Sequence, residues 1–503
     1  MSVHNLDSLF HPTHVAVVGA GGERSGLGHI VLRNLVDAGF DGVVYPINPS
    51  HESVAGIQAY GSISQTPTTP ELAVVCVPAS GVLEVVCECG EAGVAAIAVL
   101  TAGFREVGAE GAELERRVAD GLARHPGLRL LGPNCLGLIV PRISLNASFA
   151  PAMPTDGHVA LVSQSGALAT SIIDWAVAER IGFSHVISLG NMLDTDLGDV
   201  IDYLGQDAQT RSIVLYVESI TEPRKFMSAA RAFARSKPII VYKAGRFSAS
   251  AKAAVSHTGA MAGEDAVYDA AFRRAGLVRV ERIEDVFSTA ELLARERAVH
   301  RGRLGIVTNA GGPGVMASDA LLARGGMLAE LSPASIAALD TTLPAAWSHG
   351  NPVDVLGDAT PQRFSEALRV TLADEGVDGV LAILTPQAMT DATGTADALL
   401  AARAERSTIA SRKPVLAAWM GGGSVREGTE RLSAGGVATY TYPEQAIGAF
   451  MDLVSYVRNL ETLYETPRAI PVSFTLDRGR AKELMGAVLA EGEGVLSELS
   501  AKT

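Results

Sequence analysis

The chain has 503 residues, too many for one hydrophobic core, so about three domains of ordinary size are expected. Apolar residues make up 48% and charged residues 19%, a globular composition and not a disordered one. A net charge of −14 without any basic block argues against nucleic acid or an anionic membrane as a partner.

The N-terminus, "MSVHNLDSLFHPTH", lacks the basic and apolar regions of a secretory signal. Uncharged apolar runs such as "VAAIAVLTAGF" fall short of the roughly 18 residues that span a bilayer, so a cytoplasmic location is expected. Cys76, Cys87, Cys89 and Cys135 show no C-x-x-C or Cys/His ligand spacing and are read as reduced thiols; no metal site is expected. Neither H-E-x-x-H nor G-x-x-x-x-G-K-[ST] occurs, which leaves zinc hydrolysis and P-loop chemistry without support.

In chain order, the runs "HVAVVG", "GVVYPIN", "LAVVCVP", "AAIAVL", "HVALVS", "SIVLYVES", "PIIVYK", "LGIVTN", "GVLAILT" and "PVLAAW" alternate with Ala/Leu-rich helical stretches. Continuous apolar strands between helices predict an α/β protein with parallel sheets covered on both faces. Ligands of such sheets bind at the carboxyl ends of the strands. Breaks are expected at residues 141–157, where Pro, Ser and Asn cluster, and at the charged stretch 295–303. The blocks after them look like copies: "HVALVSQSGALATSI" parallels "RLGIVTNAGGPGVMAS", and "RSKPIIVYKAG" parallels "SRKPVLAAWMGG". The first block predicts a helix whose apolar face holds Leu168, Ile172, Trp175 and Ala176. The end, "LDRGRAKELMGAVLAEGEGVLSELSAKT", reads as one helix, a glycine break and a polar tail or linker.

"HVAVVGAGGERSGLG" is a strand, a glycine-rich turn and a helix start, where backbone N–H groups favour phosphate. A nicotinamide dinucleotide is disfavoured: counted from Gly19, Arg24 stands at the third glycine position of the fingerprint, and Asn48 stands where a ribose-binding acid is required. A phosphate-bearing nucleotide of another kind and a purely structural turn both stay open. Three further strand ends, Val77–Ser80, Leu100–Phe104 and Leu131–Gly137, point at the same crevice, and Asn134 can donate and accept there. Together they describe a groove for a long ligand.

"KAAVSHTGAMAG", Lys252–Gly263, sets one imidazole, His257, among small residues. Structural bonding, metal ligation and group transfer are the common uses of histidine. No ligand partners stand nearby, and the small flanks suit a segment that lies against a ligand or moves.

The ordered set "HVAVVGA", "YPINPS", "LAVVCVP", "LTAGF", "LGPNCLG", "SQSGAL", "YVES", "KPIIVYKAGR" and "SHTGAMAG" resembles the NDP-forming acyl-CoA synthetases, relatives of succinate–CoA ligase, over about residues 10–460. The resemblance implies an N-terminal Rossmann-like CoA-binding domain (1–145), then two flavodoxin-like, doubly wound parallel-sheet ligase domains (153–297 and 300–462), and a tail at 463–503 leading towards an ATP-grasp module. It implies that coenzyme A is held by Gly19, Ala20, Gly21, Ser25, Leu27, Asn48, Val77, Pro78, Thr101, Ala102, Gly103 and Asn134. His257 would be phosphorylated by an acyl phosphate and pass the group to a nucleoside diphosphate. Such an imidazole needs an acceptor on its other nitrogen, and Glu218, just past a buried strand, matches the family's orienting glutamate. The helix starts at Ser165, Gly166 and at Gly311, Gly312, with Pro313 in the first turn, and Gly259 beside the histidine, would surround the phosphoryl group with N–H dipoles. Succinate–CoA ligases carry a tyrosine where this chain has Thr170, so a monocarboxylic acid, acetate or a larger one, is preferred to a dicarboxylate; the partner expected is CoA with a small carboxylic acid. "GNPVDVLGDAT" and "SLGNMLDTDLGD" resemble the family's acyl-site loops. ATP/ADP and Mg2+ would enter only through an ATP-grasp module, in cis or as a separate subunit of a homo- or hetero-oligomer. The alternative is a catalytically inactive CoA-binding regulatory protein of the same fold.

Overall fold

Most of the apolar runs become strands because a helix follows and returns the chain to the same edge of the sheet; Val43–Ile47 is followed instead by the short hairpin Ser53–Val54/Ile57–Gln58. The computed structural model describes residues 5–178, 181–247, 264–296, 299, 301–405, 413–464 and 478–490. Its first sheet has five parallel strands in the spatial order Val43–Ile47, His14–Val18, Leu72–Val75, Ala96–Val99, Arg129–Leu131. The second runs Val278–Val280, Ile239–Lys243, Ser212–Val217, Asp156–Ser163, Phe183–Ser188, Gly137–Val140, Leu145–Ser148, parallel except for its last two strands. The third runs Met327–Leu328, Arg303–Thr308, Gly379–Leu384, Val415–Trp419, Ala438–Tyr440, with Val353–Asp354 also paired to Arg303–Thr308.

Strand Leu145–Ser148 lies inside the Pro/Ser/Asn-rich stretch whose composition suggests a loop. Its polar groups are buried and satisfied instead. The Ser148 hydroxyl donates to Asn146 Oδ1 at 2.6 Å, and Asn34 Nδ2 donates to the carbonyls of Ser148 and Ala150 at 2.8 and 2.9 Å. The chain therefore passes from the first sheet to the second directly after Leu131.

Successive side chains of a strand face opposite ways, and the middle sheet uses both faces. Val162, Leu215 and Val241 join one apolar core with Val17, Val74 and Ala98 of the first sheet. Their neighbours Leu161, Val214 and Ile240 join another with Ile306, Leu381 and Leu416 of the third. Met1–Leu463 accordingly form one compact unit, and helix Arg478–Ala490 lies in a second unit, Tyr464–Thr503. No described helix is long and apolar enough to cross a membrane. In helix Gly166–Ala178, Ile172 and Ala176 are buried as the periodicity predicts, whereas Trp175 is 40% exposed. It sits at the edge of the apolar face, with its ring 5.3 Å from that of Phe287.

Helix Pro443–Tyr464 buries Asp452 against helix Asp285–Arg295, where Thr289 Oγ1 donates to Asp452 Oδ2 at 2.8 Å. Burial pushes this carboxyl up to about 7, against the opposing pull of the Thr289 hydrogen bond and Arg324. A carboxyl raised in the folded state stays protonated there while the unfolded chain ionises, so its contribution is lost as pH rises from about 4 towards 7. Asp452→Asn should remove this slope. Urea unfolding at pH 5, 6 and 7 should show the variant gaining on the wild type by up to about 1.4 kcal/mol per pH unit; parallel pH profiles would contradict it.

Candidate functional site

In both later sheets the strand order reverses between the first strand and its neighbour, the place where open α/β sheets bind ligands. In the middle sheet this crevice lies between Asp156–Ser163 and Ser212–Val217. Ser163 Oγ donates to Ser165 O at 2.8 Å and accepts from Ser165 N–H at 3.1 Å, which turns the chain out of the strand. Ser165 Oγ then accepts from Leu168 N–H at 3.3 Å and caps helix Gly166–Ala178.

Glu218 follows the neighbouring strand at the same edge. The Gln164 carboxamide spans the crevice: its Oε1 accepts from the N–H groups of Glu218 (2.5 Å) and Ser219 (3.1 Å), and its Nε2 donates to Ser219 O at 2.9 Å. Tyr216, two residues earlier and hence on the same face, lies close enough to Glu218 to feel its charge. Burial, and then the charge of Glu218, push the Tyr216 phenol above its usual range and keep it a donor. Its ring stacks on Tyr242, 5.8 Å between centroids and 13° from parallel.

The third sheet repeats this construction. Thr308 Oγ1 donates to Ala310 O at 2.8 Å and accepts from Ala310 N–H at 3.1 Å, before helix Gly311–Ala323. Asn309 Oδ1 accepts from Thr385 N–H at 2.8 Å, and Asn309 Nδ2 donates to Thr385 O at 2.9 Å. The duplication thus reaches individual hydrogen bonds, with an acid at the strand end in one copy and a threonine in the other. Gly311 and Gly312 are exposed at their helix start, and Ser165 and Gly166 are half-buried at theirs.

In the first sheet, Gly19, Asn48, Val77, Thr101 and Asn134 all follow strands at one edge. Ala20 is buried beneath this rim, Gly21 and Leu27 are half-buried, and Ser25 and Pro78 are exposed, as is Ala102. Arg24 does not close the turn. Gly28 does, because a Cβ there would fall 2.4 Å from Gly19 O, so the helix start packs on the strand end at that residue. The fingerprint is lengthened, and counting from Gly19 with dinucleotide spacing misses it. Asn48 braces the turn: its Nδ2 donates to Ala20 O at 2.7 Å, and its Oδ1 accepts from Ser50 N–H at 2.8 Å. Thr101 Oγ1 donates to Val77 O at 2.6 Å, and Asn134 N–H to Thr101 O at 2.9 Å, which joins three strand ends of the rim. Cys76 and Cys135 lie close by. Burial pushes both thiols up to about 12, so neither supplies a thiolate there near neutral pH.

The two edges meet through buried Asn191. Its side-chain amide donates to Glu106 Oε2 (2.9 Å) and Glu115 Oε2 (2.7 Å), its Oδ1 accepts from Asn134 Nδ2 (3.3 Å), and its N–H donates to Pro133 O (2.8 Å). Gly190 beside it has φ +55°, and a Cβ would strike Pro133 O at 2.2 Å, so the strand ends of the two sheets touch through backbone. The loop continues into Asp196, which caps helix Leu197–Gln206, and Lys225 reaches Asp196 at 3.1 Å and Asp199 at 2.5 Å. Where the sheets meet is a cavity of about 30 Å³ lined by Arg105, Asn134, Gln164, Gly190, Asn191, Glu218 and Ser219.

His257 and Gly259 lie outside the described residues. The chain on either side of them is fixed beside Glu218. Lys243 is in register with Val217, and Ala244 N–H donates to Val217 O at 2.9 Å. Arg246 Nε lies 3.7 Å from Asp265 Oδ2, so residues either side of the segment pair with each other. Lys243 is buried, with Nζ 4.4 Å above the Tyr268 ring. Burial lowers its pKa, while the Asp265 and Glu218 charges oppose that shift.

Arg105, Gln164, Asn191, Tyr216 and Lys243 are the residues that inspection of the sequence misses. Period two from Glu218 picks out Tyr216, and the strand end "VYK" picks out Lys243. Gln164 is marked by its place between the two serines of "SQSG". Arg105 carries no local signal, and Asn191 is marked only by the acyl-site resemblance of its stretch, because their partners lie on distant loops. Among the described residues no group of His, Cys, Asp or Glu is arranged to hold a metal ion.

The chain matches three family descriptions in succession: "CoA binding domain" over residues 13–141, "Succinyl-CoA ligase like flavodoxin domain" over 156–293, and "Ligase-CoA domain" over 304–458. It is 38% identical to acetate–CoA ligase [ADP-forming] I of Archaeoglobus fulgidus, over 98% of this chain and 69% of that protein. It is 37% identical to the alpha subunit of acetate–CoA ligase [ADP-forming] II of Pyrococcus furiosus, over 90% of this chain and 98% of that subunit. Its fold matches that of the acetyl-coenzyme A synthetase 1 of Ca. Korarchaeum cryptofilum, solved with phosphate and ADP. The TM-score is 0.83 at 36% identity, over 91% of this chain and 98% of the other.

The carboxamide clamp generates its own test. Gln164→Ala leaves the N–H groups of Glu218 and Ser219 without their acceptor, and should lower stability by about 2 kcal/mol. Asn309→Ala should cost a similar amount through Thr385. Urea unfolding of both variants reads this, and unchanged midpoints would show that the clamps carry no load.

Proposed function

Because this chain belongs to the NDP-forming acyl-CoA synthetases, which are acid–thiol ligases, we propose that it performs the CoA- and acid-handling steps of acyl-CoA + phosphate + ADP ⇌ carboxylic acid + CoA + ATP. Phosphate oxygen attacks the thioester carbon, the C–S bond breaks, and CoA leaves with the proton on sulfur. The acyl phosphate formed then gives its phosphoryl group to the His257 imidazole and releases the carboxylate. The phosphohistidine passes the group to ADP on an ATP-grasp domain, in cis or on a partner subunit, where Mg2+ is also bound. A monocarboxylic acid is read from Thr170 at the position where succinate–CoA ligases carry tyrosine.

One observation carries this reading: the Glu218 carboxylate stands at the crevice of the middle sheet, beside the capped start of helix Gly166–Ala178, and the residues flanking the histidine segment are tethered next to it. His257 is eight residues from Asp265, a length of chain that can extend roughly 27 Å, ample to bring the imidazole to Glu218. Glu218 then accepts from one imidazole nitrogen and frees the other for phosphorus. N–H groups at Ser165 and Gly166, at Gly311 and Gly312, and at Gly259 would take the phosphoryl oxygens. The strand-end rim that includes Gly19, Asn48, Val77, Thr101 and Asn134 supports coenzyme A as the long ligand. Its braced, backbone-rich turn suits a phosphate-bearing group, and its far end meets the Glu218 cavity at Asn134.

Incubation with an acyl-CoA and labelled phosphate, without nucleotide, should attach an acid-labile, base-stable phosphate to the chain. His257→Ala should abolish the label, and Glu218→Gln should slow its appearance on the order of 10²- to 10⁴-fold. Equal labelling of His257→Ala would refute the nucleophile. Tight CoA binding without label across a panel of acyl-CoAs would favour the inactive regulatory reading.

A further inference from the structure

We propose that Arg105 is the residue that binds the oxyanion of the acyl substrate, the carboxylate or the acyl phosphate made from it, beside Glu218. This rests on the reading of Glu218 as part of the reaction site. Any such substrate brings negative charge to a place already rich in it: Glu218 lines the cavity, and Glu106 and Glu115 hold Asn191 at its wall. Burial alone would raise the Glu106 pKa. The Asn191 amide and the N–H groups of Gly103 and Phe104 outweigh it and hold the carboxyl below its usual range, so Glu106 stays charged. An anion entering without a counter-charge meets repulsion and loses its hydration.

Arg105 is the positively charged residue among those lining the cavity. It comes from the first sheet's loop and crosses to the second sheet's edge, so it stands where the CoA-binding rim and Glu218 meet. Part of its guanidinium is committed: Nη2 donates to Asn191 O, and Nη1 lies 3.5 Å from Glu115 Oε1. Its Nε is buried and has no hydrogen-bond partner among the described residues. A buried guanidinium N–H without an acceptor is costly, and the groups on either side of it already hold the plane in one orientation. The cavity admits one or two atoms of a ligand's end, the size of a carboxylate or acyl-phosphate oxygen and not of a long acyl chain. A guanidinium held in one orientation at the wall of a void of that size, beside carboxylates, is an arrangement that recognises an oxyanion.

Calorimetric titration of acetyl phosphate into the His257→Ala chain, which cannot turn it over by the proposed route, measures this. Arg105→Gln in that background should weaken acetyl phosphate binding by about tenfold or more. Arg105→Lys, which keeps the charge but not the planar guanidinium, should lose less. Glu218→Gln should bind at least as tightly as its parent, because a repelling charge is gone. CoA affinity should stay within about twofold in all three, which separates anion binding from a disturbed fold. Unchanged acetyl phosphate affinity in Arg105→Gln, or no measurable binding by the parent chain, would overturn the proposal. Arg105-dependent binding with no label on wild-type His257 would instead sink the phosphohistidine and leave Arg105 standing.

Discussion

One carboxamide holds the chemistry of this chain in place. Gln164 leaves the first strand of the middle sheet and bonds both N–H groups that follow the neighbouring strand, so a helix start and a glutamate belong to one rigid edge. Without that bridge the N–H groups of Glu218 and Ser219 would lose their acceptor, and Glu218 would have no fixed position against the helix start. Tyr216 lies beside the carboxylate, and Tyr242 stacks on Tyr216. The acid is thus positioned by groups that do no chemistry themselves, the condition for an oriented imidazole.

The two-faced middle sheet explains how such an edge meets two others. Alternate residues of each strand enter different cores, one shared with the first sheet and one with the third. The sheets are thereby locked by the apolar burial that folds each of them, and not by surface pairs of small energy. Asn191 then stitches the first two edges together, fully hydrogen-bonded as a buried polar group must be. Duplication leaves a second glycine-started helix in the third sheet with the same turn chemistry, but Thr385 in place of the acid. A copy that keeps the dipole and drops the carboxylate suits an anion-binding role without competition from a second acid.

Much of this was legible because parallel strands buried on both faces advertise themselves as unbroken apolar runs, and the residue after each run lands at the binding edge. Glu218, Asn134 and the Ser165–Gly166 turn are visible on that ground. Leu145–Ser148 was hidden because its polar side chains imitate a loop; they are satisfied by each other, and Asn34 from a distant helix takes up the backbone carbonyls. Gly28 was hidden by a turn longer than the dinucleotide spacing. Arg105 could not be read at all, and Asn191 only as part of a stretch that resembles an acyl-site loop: each gains its role from partners tens of residues away, and no local pattern encodes that. Trp175 shows the converse, a large apolar residue at helical period that the fold leaves at the margin of its core.

The central claim is spatial: the imidazole of His257 comes to the Glu218 carboxylate at the edge that Gln164 fixes. A crystal structure of the chain soaked with phosphate and CoA measures it most directly. The account predicts an imidazole nitrogen within about 2.6–3.2 Å of a Glu218 carboxylate oxygen, with phosphate on the ring's opposite nitrogen. An ordered His257 held away from Glu218, with phosphate bound elsewhere, would contradict it.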